Sequence, residues 1–326
     1  MPMQRFLPAF ALVCVLMAHG SWAEPLRMNQ IQVIGTHNSY HVRPDNLEAI
    51  KMFTAEAEAW DYTHPPLDVQ LERGVRNFEL DLYHAESGFE VYHVPMVDAE
   101  TTCLRLEDCL NTVRVWSDAN PNHVPISIHF EFKVREAAMA NPPTLPLDEV
   151  MFERLDAVVR ETMGDKLLTP DEVRGERDTL REAILEDGWP LLDDVRGRVF
   201  ILLHNPGELR EIYTAKHPTL EGRPLFVRSE PDRPDAATLV RDNPNDPSIP
   251  DLVRQGFWVR TRVDSGLRTS EERRDRGFAS GAHVLTTDFP PGSTQVDTGY
   301  VVMFEDGAPA RCNPVNSPEG CPEALE

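Results

Sequence analysis

The sequence predicts an α/β protein whose parallel sheet closes as a TIM-type (β/α)8 barrel. Two observations favour this fold. Short β-prone runs recur eight times along the chain, and helical or irregular segments separate them. Strands that alternate with crossover segments are typical of a parallel sheet, and eight such units close a barrel. A chain of 326 residues is of ordinary length for one barrel, so its length does not require a second domain.

The predicted elements follow one another in chain order. The predicted strands are 31–35, 77–83, 89–93, 125–133, 198–203, 224–229, 257–263 and 283–289. Apolar residues at roughly helical spacing predict the helices; these are 46–60, 66–73, 146–163, 178–187 and 268–280. We interpret the proline-rich stretch 231–250 as a surface excursion of the same domain, and the chain from about 305 onward as an irregular tail.

The first 23 residues are typical of a secretory signal peptide. Arg5 precedes an apolar run, and the small residues Ser21 and Ala23 lead to a predicted cleavage site after Ala23. The run is too short to span a bilayer, which needs ~20 residues, and no later segment is long and apolar enough. We therefore expect an exported protein, secreted or periplasmic, with one barrel domain over 24–326 and no transmembrane segment.

Cysteine spacing indicates two small disulfide loops. Outside the signal peptide the chain has four cysteines, Cys103, Cys109, Cys312 and Cys321, which form two sequence-local pairs. An even number of cysteines in an exported protein is typical of disulfides. Neither pair has Cys-x-x-Cys spacing, which disfavours a metal site.

The net charge of −22 disfavours binding to anionic partners. Nucleic-acid binding rests on lysines and arginines that neutralise phosphates, so it is disfavoured. Attraction to an anionic membrane surface is disfavoured for the same reason. We expect a monomer whose contact with a membrane is at most transient.

Two predicted strands carry acidic residues where a closed barrel should be apolar on both faces. In "NFELDLY", Glu79 and Asp81 lie on one face, about 6–7 Å apart along the strand, and "ISIHFEF" carries Glu131. Each unpaired buried ion would cost several kcal/mol, a cost that a divalent cation between the carboxylates would remove. The alternative is a half-exposed antiparallel strand, where such alternation costs nothing.

Other polar residues follow the same predicted strand ends. His37 and Asn38 follow the first strand, His93 the third, and Lys133 the fourth. Barrel enzymes carry their active sites at the carboxyl ends of the strands, so these residues should converge. Three carboxylates and one amide oxygen are hard ligands that favour calcium or magnesium over zinc. Two histidines suit proton transfer near neutral pH.

At these residues the sequence resembles the calcium-dependent phosphoinositide-specific phospholipase C family, particularly its secreted bacterial branch. The matching motifs are "GTHNSYH", "LERGVRNFELDLYH", the histidine of "YHVP", and "HFEFK"; later matches include "TPDEVRG", "FWVRTRVDS", "HVLTTDFP" and "ARCNPV". The likeness extends from about residue 30 to 315. Each motif is short, but the ordered set is specific.

The resemblance implies a phosphodiesterase barrel with one Ca²⁺ ion, in preference to Mg²⁺. By position, Asn38, Glu79, Asp81 and Glu131 would bind the ion. His37 and His93 would be the catalytic pair. Calcium-free bacterial relatives carry a basic residue where this chain has its second acidic one, so the Glu79–Asp81 pair favours the metal-dependent branch. The chain departs from the larger eukaryotic members in having no lipid-binding module.

The implied reaction is cleavage of the phosphodiester of phosphatidylinositol or a related inositol phosphodiester, by attack of a hydroxyl of the inositol ring. The products would be diacylglycerol and a cyclic inositol phosphate, with or without later hydrolysis. We expect His37 to aid the attack and His93 to protonate the leaving oxygen, although sequence alone leaves their acid and base roles open. Lys133 or Arg262 would stabilise phosphoryl charge; for Arg262 the alternative is an ion pair with Asp264.

Two other functions are compatible with parts of this pattern. A glycerophosphodiester phosphodiesterase shares the barrel, a Glu-x-Asp pair and two histidines, but usually has His-Arg-Gly where this chain has His37-Asn38-Ser39. A non-catalytic barrel that binds a phosphoinositide or a partner protein would not need the complete set of site residues. The fold itself does not decide between them. The other histidines near the strands are interpreted as core or rim residues; they are His41, His84, His129 and His204.

Overall fold

A computed structural model describes residues 25–295 and 298–326 of the chain. The strands are β1 (Ile31–Thr36), β2 (Tyr62–Thr63), β3 (Val75–Ala85), β4 (Gly88–Val91), β5 (Ile126–Phe132), β6 (Val199–Leu203), β7 (Phe226–Val227), β8 (Thr238–Val240), β9 (Trp258–Arg262), β10 (Val284–Thr287), β11 (Thr294–Gln295) and β12 (Ala310–Cys312). The α-helices are α1 (Leu47–Lys51), α2 (Leu67–Glu72), α3 (Leu106–Ala119), α4 (Glu149–Met163), α5 (Pro170–Arg174), α6 (Leu180–Glu182), α7 (Glu208–Thr214), α8 (Ile249–Arg254) and α9 (Glu271–Ser280). The predicted signal peptide, 1–23, lies outside the described residues.

Eight parallel strands form the predicted barrel, in the order β1-β3-β5-β6-β7-β8-β9-β10 and back to β1. The two short strands β7 and β8 meet through a parallel bridge between Arg228 and Thr238. The amide of Ser229 adds a hydrogen bond of 3.0 Å to the carbonyl of Thr238. The (β/α)8 fold class is therefore confirmed, with its weakest junction at β7–β8.

One of the eight predicted strands is not a barrel strand and one barrel strand was not predicted, so the two errors cancel in the count. The segment 89–93 is not a barrel strand: β4 pairs antiparallel with β3, with Val91 opposite Leu82. The missing strand is β8, which lies inside the stretch 231–250 that was interpreted as a surface excursion. β8 has only three residues, so it has too few positions to show a hydrophobic period.

Helices cover the outer face of the barrel and bury their apolar faces on it. In α4 the buried residues recur at helical spacing, and the Asp148 side chain caps the first turn by accepting from the Met151 amide at 2.9 Å. The unpredicted helix α3 shows the same pattern, with Leu106, Leu110 and Val113 buried. Among the described residues no helix is long and apolar enough to cross a membrane.

Both predicted disulfides are present. Cys103 pairs with Cys109, and Cys312 pairs with Cys321, with Cα–Cα distances of 5.4 and 6.2 Å. The first pair ties the segment before α3 to that helix. The second lies in the tail predicted to be irregular, where β12 pairs antiparallel with β1.

Candidate active site

A cleft of about 720 Å³ opens at the carboxyl ends of the barrel strands. His37 and Asn38 line it from the loop after β1, Arg262 from the end of β9, and Asp288 from the end of β10. His93 also lines this cleft. Predicted site residues from distant parts of the sequence therefore meet at one opening.

The three predicted acidic ligands form one compact cluster. Glu79 and Asp81 share a face of β3, and the β3–β5 register places Asp81 opposite Glu131. One carboxylate oxygen from each lies within 4.8 Å of the other two. The antiparallel alternative is wrong, because β3 and β5 pair in parallel and only Glu131 of the three is partly exposed.

Asn38 lies next to this cluster because its loop is fastened to β3. Ser39 donates its amide to the carbonyl of Glu79 at 2.9 Å, and its hydroxyl accepts the Glu79 amide at 2.8 Å. Asn38 has a φ of +46°, a left-handed conformation that asparagine tolerates better than most residues. Its side chain is buried, and its Oδ1 has no hydrogen-bond partner within 25–295 or 298–326.

The mutual repulsion of these carboxylates and their unpaired oxygens suit a bound cation. Burial raises the pKa of Asp81 to about 7, and repulsion by Glu131 and Glu79 adds to this rise against the attraction of Lys133. Asp81 Oδ1 accepts no hydrogen bond from a described residue, and Asp81 Oδ2 forms an ion pair with the Lys133 ammonium group. Unpaired buried oxygens are uncommon in folded proteins. Together with Asn38 Oδ1 they supply the oxygen ligands that calcium takes.

Two basic side chains offset part of this negative charge. Lys133 Nζ lies 2.9 Å from Asp81 Oδ2 and 2.9 Å from Glu131 Oε2. Arg260 forms a buried ion pair with Glu79. Burial alone would raise the pKa of Glu79, but Arg260 and His37 outweigh it and hold that pKa well below its usual value.

His37 is oriented by a carboxylate from the last barrel strand. Its Nδ1 lies 2.9 Å from Asp288 Oδ1, while its Nε2 faces Glu79 Oε1 at 3.6 Å. Asp288 also accepts from Arg262 Nη2 at 3.1 Å. Burial alone would raise the pKa of Asp288, but His37 and Arg262 lower it overall, so this residue is a carboxylate at neutral pH.

The predicted ion pair between Arg262 and Asp264 is replaced by the pair with Asp288. Asp264 instead accepts from the Thr287 hydroxyl and, at 2.7 Å, from the Asp288 amide. These contacts hold the end of β10 in place. Arg262 lines the cleft, whereas Lys133 is held by the acidic cluster and is not part of the cleft lining.

His93 reaches the cleft because β3 and β4 form a hairpin above the barrel. The hairpin runs outward along β3 and returns along β4, so the residues after Val91 come back to the strand end. His93 Nδ1 lies 2.5 Å from Asp98 Oδ2. Its side chain remains 18% exposed to the cleft.

The sequence did not predict a role for three residues of this site. Asp288 ends the last predicted strand, and that position was the available signal. Arg260 lies two residues before Arg262 on β9, so strand alternation places both on one face, and this was the available signal. Asp98 follows a turn in a loop, and no spacing pattern pointed to it.

The match to a known protein family agrees with this geometry. Residues 26–88 and 84–314 match the family described as "Phosphoinositide phospholipase C, Ca2+-dependent". This chain belongs to that family. Comparison with curated protein sequences gave no match.

Solved calcium-dependent phosphoinositide phospholipases C share the fold of this family member. The enzyme from Streptomyces antibioticus has 20% identity and a TM-score of 0.57, over 81% of this chain and 95% of that one. The enzyme from a Gram-negative Pseudomonas sp. has 16% identity and a TM-score of 0.57, over 88% of this chain and 96% of that one. The family match identifies the chain as a phosphoinositide phospholipase C with calcium as its cofactor.

Proposed function

We propose that this phospholipase C cleaves the phosphodiester of phosphatidylinositol through attack by a hydroxyl of the substrate's own inositol ring. One observation carries the proposal. Two histidines, each bonded to an aspartate, line one cleft beside three clustered carboxylates and an unpaired amide oxygen. The products are diacylglycerol and a cyclic inositol phosphate.

Four side chains would hold the metal, namely Asn38, Glu79, Asp81 and Glu131. When bound, calcium supplies positive charge that makes a ring hydroxyl more acidic and neutralises phosphoryl oxygens. The clustered carboxylates and the unpaired Asn38 Oδ1 support this assignment.

His37 assists the attack on phosphorus. Asp288 accepts from Nδ1, which leaves Nε2 directed toward the acidic cluster. A histidine fixed in this way can take the proton of the attacking hydroxyl as the new P–O bond forms.

His93 protonates the leaving oxygen. Asp98 holds its Nδ1, so Nε2 is the nitrogen available to the cleft. As the bond between phosphorus and the glycerol oxygen breaks, the electron pair stays on that oxygen and the proton of Nε2 neutralises it.

Arg262 is the better supported of the two predicted substrate contacts. It lines the cleft, and its pair with Asp288 fixes its direction beside His37. Lys133 would contribute mainly by balancing the charge of Asp81 and Glu131, on which its ammonium group rests.

Apolar side chains around the cleft support a substrate that stays in a membrane. Met52, Phe53 and Met96 are 77%, 86% and 78% exposed, on loops that follow β1 and β4. Val97 and Met139 extend the same rim and line the cleft itself. We propose that these loops touch the bilayer transiently while a monomeric, exported enzyme works on its surface; the two disulfides suit export.

Product analysis tests the proposed function. Purified protein is incubated with phosphatidylinositol or glycerophosphoinositol, with calcium or with EGTA, and the phosphorus-containing products are identified. We expect cyclic inositol phosphate from phosphatidylinositol only when calcium is present. Glycerol phosphate from glycerophosphoinositol, with phosphatidylinositol left intact, would instead indicate a glycerophosphodiester phosphodiesterase.

A further inference from the structure

His41 was interpreted as a core or rim residue, but its contacts give it a specific place behind His93. It is fully buried in the loop after β1. Its Nε2 lies 3.0 Å from both carboxylate oxygens of Asp98, the residue that also holds His93. Its Nδ1 lies 3.1 Å from the carbonyl oxygen of Tyr62.

Both ring nitrogens of His41 therefore face oxygens that only accept hydrogen bonds. A carbonyl oxygen has no proton to donate, and neither does a carboxylate. A neutral imidazole has only one N–H, so one of its nitrogens would direct a lone pair at an acceptor. The geometry is satisfied only when the pair of His41 and Asp98 shares one additional proton and is neutral overall.

The additional proton lies on the histidine rather than on the aspartate. Burial alone would raise the pKa of Asp98, but hydrogen bonds from His41 and His93 outweigh it and lower that pKa. Asp98 is thus a carboxylate that accepts from both histidines, and the geometry assigns the additional proton to His41.

His283 provides a contrast within the same molecule. It is equally buried, but its Nδ1 accepts from the Val259 amide at 2.9 Å and its Nε2 donates to the Asn29 carbonyl at 2.7 Å. One donor and one acceptor suit the neutral ring, and burial lowers the pKa of this histidine to about 4. His41 and His283 are equally buried, so the difference in their protonation comes from their hydrogen-bond partners and not from burial.

Resting on the proposed function, we infer that His41 is a positioning residue that acts through Asp98. Its positive charge cancels that of the carboxylate, so Asp98 aligns His93 without placing a net negative charge behind it. An uncompensated carboxylate would favour the protonated form of His93 and make it a weaker acid. His93 can then release its Nε2 proton to the leaving oxygen more readily.

Aromatic rings pack against the two histidines: Tyr62 stacks on His41, and Trp60 lies edge-on to His93. The charged side chains that share the cleft with His93 are Glu56, Arg135, Glu136, Arg262 and Asp288. Burial lowers the pKa of His64 to about 3 and raises the pKa values of Tyr40 and Tyr62 well above their usual value. The buried aromatic and histidine side chains are neutral at physiological pH, and Asp98 is the carboxylate in direct hydrogen-bond contact with both His41 and His93.

The protonation state can be read directly without any substrate. Nitrogen-15 NMR of the calcium-loaded protein, labelled at histidine, should show two protonated ring nitrogens on His41 between pH 6 and pH 8. It should show one on His283. A single protonated nitrogen on His41 at pH 6 would overturn the inference, and this holds even if the proposed function fails in the product assay.

Kinetics test the consequence for His93. His41→Gln can keep a neutral hydrogen bond to Asp98 but removes the positive charge. We expect kcat on phosphatidylinositol to fall about tenfold, KM to stay the same, and the basic limb of the pH–rate profile to move to higher pH. Activity on a substrate with an activated phenolic leaving group should fall much less.

His283→Gln is the matched control for loss of a buried histidine and should leave the pH profile unchanged. An unmoved basic limb in His41→Gln would show a merely structural role.

Discussion

Two pairs of buried polar residues in the barrel differ in their hydrogen bonding: Gln32 and His283 near the amino ends of the strands, and Asn38 and Asp81 near the carboxyl ends. At the amino end, Gln32 donates to the Ala282 carbonyl at 2.7 Å and accepts from Arg311 at 2.7 Å. His283 is paired at both nitrogens. At the carboxyl end, Asn38 Oδ1 and Asp81 Oδ1 accept no hydrogen bond from the described residues, and Asp81 Oδ2 forms an ion pair with Lys133.

This difference separates groups that stabilise the fold from groups that prepare a site. A buried polar atom without a hydrogen bond costs about 1–3 kcal/mol, so the carboxyl end is less stable than it could be. A bound cation would offset that cost, because a ligand that binds only the native state stabilises it. Removing a poorly paired buried carboxylate and removing a well paired one should therefore have opposite effects on stability.

The largest effect should come from Asp81→Asn. Losing one of three carboxylates should lower phosphatidylinositol turnover by about a thousandfold, since metal assistance is worth several kcal/mol. The metal-free protein should become more stable, because a charge that is costly to bury is gone. Thermal melts with and without calcium should show that the calcium-dependent rise in Tm is lost.

Asp156→Asn is the matched control on the outer helix α4. Asp156 is also buried, but it accepts from the Tyr213 hydroxyl and pairs with Arg223, both at 2.9 Å. Removing its charge should destabilise the protein, because Arg223 loses its buried partner, while the calcium-dependent rise in Tm persists. If both variants lost stability and both kept the calcium effect, the contrast between a poorly paired and a well paired buried carboxylate would be wrong.

The next effect concerns the two catalytic histidines. His93→Ala should lose at least about a hundredfold on phosphatidylinositol, the range of general acid catalysis. It should lose far less on an inositol phosphodiester with an activated phenolic leaving group, which needs no proton. His37→Ala should lose activity on both substrates, because His37 acts on the attacking side.

Steady-state rates on the two substrates distinguish these roles. An equal loss for His93→Ala on both would exclude its role as the general acid. Recovery of His37→Ala on the activated substrate would mean that the two roles are reversed.

The sequence predicted the site best where a strand expected to be apolar carried acidic residues. Glu79 and Asp81 in an otherwise apolar strand predicted the acidic cluster, because period-two alternation places both on one face. The same period could not separate β4 from a barrel strand, since pairing direction leaves no mark in a short run. It also could not detect β8, which has three residues.

Contacts between distant loops account for what the sequence could not show in the site. Asp98 acts because the turn at Val94 and Asp98 folds it back onto His93. His41 has its role because a neighbouring loop brings the Tyr62 carbonyl to its second nitrogen. Tyr62 and Asp98 are both far from His41 in sequence, so only the folded chain identifies them as its partners.

The two disulfides extend the comparison to covalent links. Each closes a short loop, so replacing either pair by serines should cost about 2–3 kcal/mol of stability. The segment that carries Asp98 ends at Cys103, so Cys103→Ser/Cys109→Ser should also lower kcat several-fold. Cys312→Ser/Cys321→Ser, in the tail that pairs with β1, should leave kcat unchanged. Chemical denaturation and initial rates measure both quantities, and equal kcat losses would contradict the assignment.

The smallest effect is a pH dependence of stability that arises at the amino end. Burial lowers the pKa of His283 from its usual 6.5 to about 4. A histidine whose pKa is lowered by folding adds stability above pH 6.5, and that stability is lost as the pH falls toward 4. At pH 5 the loss should be about 2 kcal/mol. His283→Gln has no group to protonate, so it should lose that much less stability than the wild type between pH 7 and pH 5. Urea unfolding at both pH values measures the difference, and parallel losses in the two proteins would show that His283 does not drive the acid sensitivity.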